Sequence, residues 1–230
     1  MLSETKILLP GRTVRIQEKL AVLLAFIAGY TDATGLIQWR TYVSFMSGNT
    51  TQLGAALFSE KHSVIISSVT VISFFLAGIY MGTCLSLSKK FINKKIIFYM
   101  VSGIMILYCI TDYYEHLANG LSIAITGFAM GLMNTAVTSV GNQKINTDFV
   151  TGTLNSLART AALFVMSDQA DERKEYRVNI FHLLFLWMGF LCGASVAPFL
   201  LSCLGNWTLI FPAALLLICA LTIPISTIKN

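Results

Sequence analysis

The chain has 230 residues, of which 55% are hydrophobic and 12% charged. With a mean hydropathy of +0.71 it is too apolar for a soluble domain of this size and reads as an integral membrane protein. The formal charge of +5 would suggest nucleic acid as a partner in a soluble protein, but here the basic residues flank apolar runs. Their task is to set orientation in a lipid bilayer, and no nucleic-acid partner is expected.

The first nineteen residues carry Lys6, Arg12, Arg15 and Lys19 ahead of the first apolar run and read as a cytoplasmic segment rather than a cleaved leader. Apolar stretches then cover 20–38, 63–87, 96–110, 121–140, 180–203 and 207–225. Most approach the roughly 20 residues that a helix needs to cross a bilayer. The expected fold is an all-α integral membrane protein with six transmembrane helices. Five cysteines, Cys84, Cys109, Cys192, Cys203 and Cys219, lie mostly inside these runs without ligand spacing, so they read as packing residues. No metal site or cofactor is expected.

Between the first two spans, T-Y-V-S-F-M-S-G-N-T runs over 41–50, and T-D-F-V-T-G-T runs over 147–153. Each joins a β-branched and aromatic piece to a hydroxyl, a glycine and a helical pattern, which makes Ser47 and Thr151 N-cap candidates for two half-helices, 47–58 and 151–166. A helix from Gly48 to Phe58 is about 16 Å long, enough to reach mid-bilayer but not to cross.

Charge decides whether these stretches cross. If all eight segments span, Lys and Arg divide about 9 inside to 6 outside; if both broken stretches are re-entrant, the division is about 13 to 2, with Arg40 and Lys61 outside. The re-entrant arrangement, with both termini in the cytoplasm, is therefore expected. It puts three spans in each half, 20–112 and 119–227, and turns the second half upside down relative to the first, an inverted repeat. Two further echoes support duplication: G-Y-T-D-A over 29–33 against G-L-M-N-T over 131–135, and G-x-x-x-G at Gly78 and Gly82 against Gly189 and Gly193. Those four glycines also offer faces for a homo-oligomer.

Half-helix N-termini at membrane depth bring free amides and partial positive charge to a midplane cavity, favouring an anion or a neutral solute rich in acceptors. The candidate binding residues are Asp32, Ser47, Gly48, Asn49, Thr50, Asn134, Thr151, Gly152, Thr153 and Arg159. A carboxylate as deep as Asp32 costs roughly 2.5 to 3.5 kcal/mol to insert, so a partner must offset it. Half-helix amides, Arg159 or a coupling proton or cation could fill that part, or Asp32 could merely stabilise the break. Asn134 holds the equivalent place without charge.

The motifs at 29–33, 44–50 and 148–154 resemble the signatures of the YoaK-like family of bacterial membrane proteins, over nearly the whole chain. The resemblance implies a bacterial inner-membrane location. Asn49 and Thr50 become Thr153 and Leu154 in the second stretch, so the two halves need not act alike. The expected function is transport of an unidentified small solute, with proton coupling at Asp32 as one mode; a passive channel and a structural or assembly protein are the alternatives. No enzyme is expected, since no nucleophile elbow occurs.

Overall fold

A computed structural model describes residues 12–59, 61–88, 95–136, 139–140, 143–144 and 150–222. The expected Lys89, Lys90, Lys94 cluster, the second break at 147–149 and the end of the last span at 223–225 lie outside them. The elements in order are α1 (Arg12–Trp39), α2 (Met46–Ala56), α3 (His62–Leu87), α4 (Lys95–Glu115), α5 (Asn119–Asn134), α6 (Val150–Met166), α7 (Ala170–Leu204), a 3-10 turn (Gly205–Trp207) and α8 (Ile210–Thr222). Two-residue strands, β1 (Ser139–Val140) and β2 (Gln143–Lys144), pair antiparallel between α5 and α6.

The chain is a multi-pass, all-helical membrane protein. Among the described residues four helices are long and apolar enough to span: α1, α3, α4 and α7. The other two expected spans are shorter. α5 stops at Asn134 after 16 residues instead of reaching 140, and α8 has 13 described residues. α1 is buried over most of its length, whereas α3 and α7 are mostly exposed. Their outward side chains, among them Phe74, Leu76, Tyr80, Phe181, Phe185 and Phe199, are large and apolar, as a lipid-facing surface requires.

Small residues explain which helices meet. A bilayer supplies little hydrophobic drive for one helix to leave lipid for another, so close backbone approach must supply the attraction. α1 packs on α7, and α5 packs on α3. A Cβ on Gly29 would collide with the Phe190 carbonyl, and one on Gly193 with the Phe26 carbonyl; on Gly189 it would sit 2.9 Å from the Val22 carbonyl. At the other crossing a Cβ on Gly78 would strike the Phe128 carbonyl, one on Gly131 the Phe75 carbonyl, and one on Gly82 the Thr135 hydroxyl. The faces expected to receive a second copy of the chain are therefore taken up within it.

The registers give directions. Val22 lies by Gly189 and Phe26 by Gly193, so α1 and α7 run parallel; Val71 lies by Gly127 and Phe75 by Gly131, so α3 and α5 do too. α4 and α8 run antiparallel, because Ser102 Oγ donates to the Ala213 carbonyl at 3.0 Å while the Tyr113 and Trp207 rings meet 5.3 Å apart. α8 is joined to α1 by Tyr30, whose hydroxyl reaches the Thr208 hydroxyl at 2.6 Å and its carbonyl at 3.0 Å, and by the Tyr30 and Phe211 rings at 5.3 Å.

Candidate functional site

After Trp39 the chain reverses. Arg40 adopts a left-handed conformation (φ 58°) and the Thr41 amide donates back to the Gly35 carbonyl at 3.3 Å. Glycine is needed there: a Cβ on Gly35 would lie 2.7 Å from the Thr41 carbonyl and 2.9 Å from Val43. The turn thus runs back along the last part of α1 and delivers residues 43–45 to Asp32, seven positions before the helix end.

Asp32 is 3% exposed. Its Oδ1 accepts from the backbone amides of Val43 at 2.8 Å, Ser44 at 2.7 Å and Phe45 at 3.3 Å, while Oδ2 accepts from Ser44 Oγ at 2.8 Å. Three consecutive amides converging on one oxygen form a concave anion-binding nest. The carboxylate that costs most to bury is thereby paired with the donors that a break in helical structure leaves bare. Of the partners considered from sequence, the amides fill the place, and Arg159 does not. Arg159 is exposed on α6.

Asn49 completes the turn. It is fully buried, its Oδ1 accepts from the Tyr42 amide at 3.2 Å and its Nδ2 donates to the Tyr42 carbonyl at 2.8 Å, so one side chain substitutes for a backbone pairing partner. Gly48 faces the turn rather than open space: a Cβ would lie 2.5 Å from the Phe45 ring and 3.1 Å from Tyr42, whose rings stack edge to face at 5.2 Å. Thr50 is exposed and donates to the Met46 carbonyl at 2.8 Å within its own helix.

Two expectations are corrected. α2 begins at Met46, one residue before Ser47, and Phe45 precedes it without a side-chain capping bond. Ser47 is therefore an exposed residue inside the first turn, and Asp32, distant in sequence, holds the three residues that lead into the helix and not its own first-turn amides. Thr151 is likewise inside α6, which begins at Val150. The amides that Asp32 occupies are those of 43–45, ahead of the half-helix.

The second stretch is built differently among the described residues. Asn134 ends α5, and its Oδ1 is buried without a hydrogen-bond partner. Thr151, Gly152, Thr153 and Arg159 lie on α6, which packs on α7 and has no buried residue, whereas α2 packs on α3. Asp32 and Asn49 come together with the 42–45 turn, while the α6 residues are carried by a helix whose main partner is α7. Ser44 and the 43–45 amides were not among the sequence candidates. Their signal was the hydroxyl in the middle of the first polar string, eleven to thirteen residues beyond Asp32.

A membrane-embedded helical fold with an internally bonded polar break defines the class of protein. The chain belongs to the family described as Protein of unknown function (DUF1275), whose model matches residues 20–222 and thus every helix named above except the start of α1. It is similar to the UPF0700 transmembrane protein RA0705 of Rhizobium meliloti (strain 1021), at 28% identity over 203 residues, covering 87% of this chain and 84% of the relative. No solved structure matches. The family expected from the three motifs is borne out.

Proposed function

We propose that the protein is a small-solute transporter of the bacterial inner membrane, not an enzyme, with both termini cytoplasmic, six spanning helices and α2 and α6 as re-entrant elements of an inverted repeat. Helix directions support this topology. Each crossing reverses the chain, so eight consecutive crossings would leave α4 and α8 parallel; they are antiparallel. One element between them must then return to the side it entered, and α6, the more polar and amphipathic, is the natural choice. The parallel α1 and α7 then require a second such element before α3. α2, with 11 residues and about 16 Å of length, is too short to cross.

The observation that carries the transport reading is Asp32 on the 43–45 amides. A charge-assisted bond is roughly twice as strong as a neutral one, so a proton on Asp32 weakens its hold on the break and releases amides that a solute can then engage. While Asp32 is ionised the nest is already filled by an anion. A neutral solute rich in acceptors therefore fits the site better than a free anion, and the coupling ion is a proton. The same four bonds favour one other reading, in which the break is a purely structural support and the protein serves assembly.

The test begins with thermal unfolding of the purified protein against sugars, nucleobases, amino acids and small anions. A solute at a hundredfold excess over its Kd raises stability by about 2.7 kcal/mol. Uptake of each stabilising solute into proteoliposomes is then followed with and without an imposed proton gradient. Gradient-dependent uptake supports a coupled transporter; uptake indifferent to the gradient supports a channel; no stabilisation by any class supports the structural reading.

A further inference from the structure

The helices sort into two groups that do not follow chain order. α1 packs with α7, on which α6 lies, and α5 packs with α3, on which α2 lies; α4 and α8, each the other's main partner, join the two, α4 touching α5 and α8 touching α1. Each half of the chain has thus given its first helix to the other half's group. Within each group the main pair is joined at glycine crossings where backbone meets backbone, at Gly29 and Gly193 in one and Gly78 and Gly131 in the other. Such crossings leave no slack, so each pair moves as one piece.

Between the groups the joints differ in kind. α4 and α8 form an antiparallel seam. α1 passes α5 where Thr31 Oγ1 reaches Met130 Sδ at 3.4 Å, and Ile27 and Ala28 share one buried apolar cluster with Met130 and Met133, a joint of side chains with no glycine crossing. The exchange of first helices also forces the chain to cross from one group to the other after α1 and again after α5. The first crossing is held by four bonds from Asp32 of α1 to residues 43–45, which lead directly into α2. At the second, Asn134 presents a buried Oδ1 that meets no donor among the described residues.

We propose that the protein works as two bodies, each containing the first helix of the other half, that tilt about the α4 and α8 seam, and that the grip of Asp32 on residues 43–45 is the latch holding them in register. This rests on the transport reading for its purpose, but the latch is measurable without a solute.

The test uses the full-length protein in nanodiscs, with the five native cysteines replaced and nitroxide labels introduced in pairs at exposed positions. Lys19 with Phe199 reports within the α1 and α7 body, Tyr80 with Leu121 within the α3 and α5 body, and Tyr80 with Phe199 between them. In Asp32→Ala the first two distance distributions stay as in the parent, while the third broadens or gains a second population. Ser44→Ala, which removes one bond of the four and leaves the carboxylate in place, shifts the third distribution in the same direction by less. An unchanged distance from Tyr80 to Phe199 in both variants overturns the latch, as does an equal change within either body. A protein that carries solute while that distance stays fixed refutes the latch alone; one whose bodies separate as expected but that carries nothing refutes transport alone.

Discussion

Asp32 and Asn49 divide the work of holding one turn. Asp32 neutralises three amides and a hydroxyl, and Asn49 pairs with both backbone groups of Tyr42. A buried donor or acceptor left unpaired costs about 1–3 kcal/mol. Asn49→Ala orphans one of each and is expected to lower the melting temperature measurably in detergent, whereas Thr50→Ala, which loses an exposed bond within its own helix, is not. Equal melting temperatures would mean that the turn is held by something other than Asn49. Asp32→Asn keeps an accepting oxygen but loses the charge and the titration. Flux against pH in proteoliposomes should therefore flatten in Asp32→Asn, and coincident curves for variant and parent would assign Asp32 to structure only. Asp32 was legible in the sequence because a carboxylate in an apolar run advertises its own cost. Its partners were not, because backbone amides carry no residue signature and their convergence depends on Arg40 and Gly35 reversing the chain.

At the scale of the helices, glycine has two opposite meanings, and substitution separates them. Gly193→Ala puts a Cβ into the Phe26 carbonyl and should prevent α1 and α7 from meeting, read as loss of a monodisperse folded peak. Gly54→Ala and Gly103→Ala meet nothing within 4 Å and should keep or gain stability, by up to about 1 kcal/mol of helix propensity. If Gly193→Ala behaves like Gly103→Ala, the crossing is looser than its backbone contacts indicate. The spacing of Gly78, Gly82, Gly189 and Gly193 announced that helices would touch there. It could not announce the partner, since a small-residue face suits a helix of the same chain as well as one from a second copy. Helix ends were similarly half-readable: the polar strings marked where helices break, but the start of α2 at Met46 instead of after Ser47 follows from the way Asp32 and Asn49 fix the turn that precedes it.

For the molecule as a whole, the count of basic residues and the directions of packed helices support the proposed topology by unrelated routes. One rests on the electrostatics of insertion, the other on the geometry of α4 against α8. Single cysteines in a background without native ones provide the check: Cys in place of Lys61 should react with a membrane-impermeant maleimide from the periplasm, and Cys in place of Lys94 only after the inner face is opened. Periplasmic labelling at Lys94 would sink the re-entrant arrangement and the inverted repeat with it.

The pairing of α1 with α7 also constrains how the protein is made. Gly29 leaves the ribosome roughly 160 residues before Gly193, which at about 5–20 residues per second is a wait on the order of ten to thirty seconds. Through that interval α1 sits in lipid with its glycine face uncovered and a carboxylate at depth. The face tolerates waiting, since lipid tails cover it as well as a helix would. The charge does not, and its cover comes from residues 43–45, synthesised within about three seconds of Asp32. Drawing the donors from the adjoining turn instead of from α7 lets a nascent first helix stay inserted long before the helix that completes it exists.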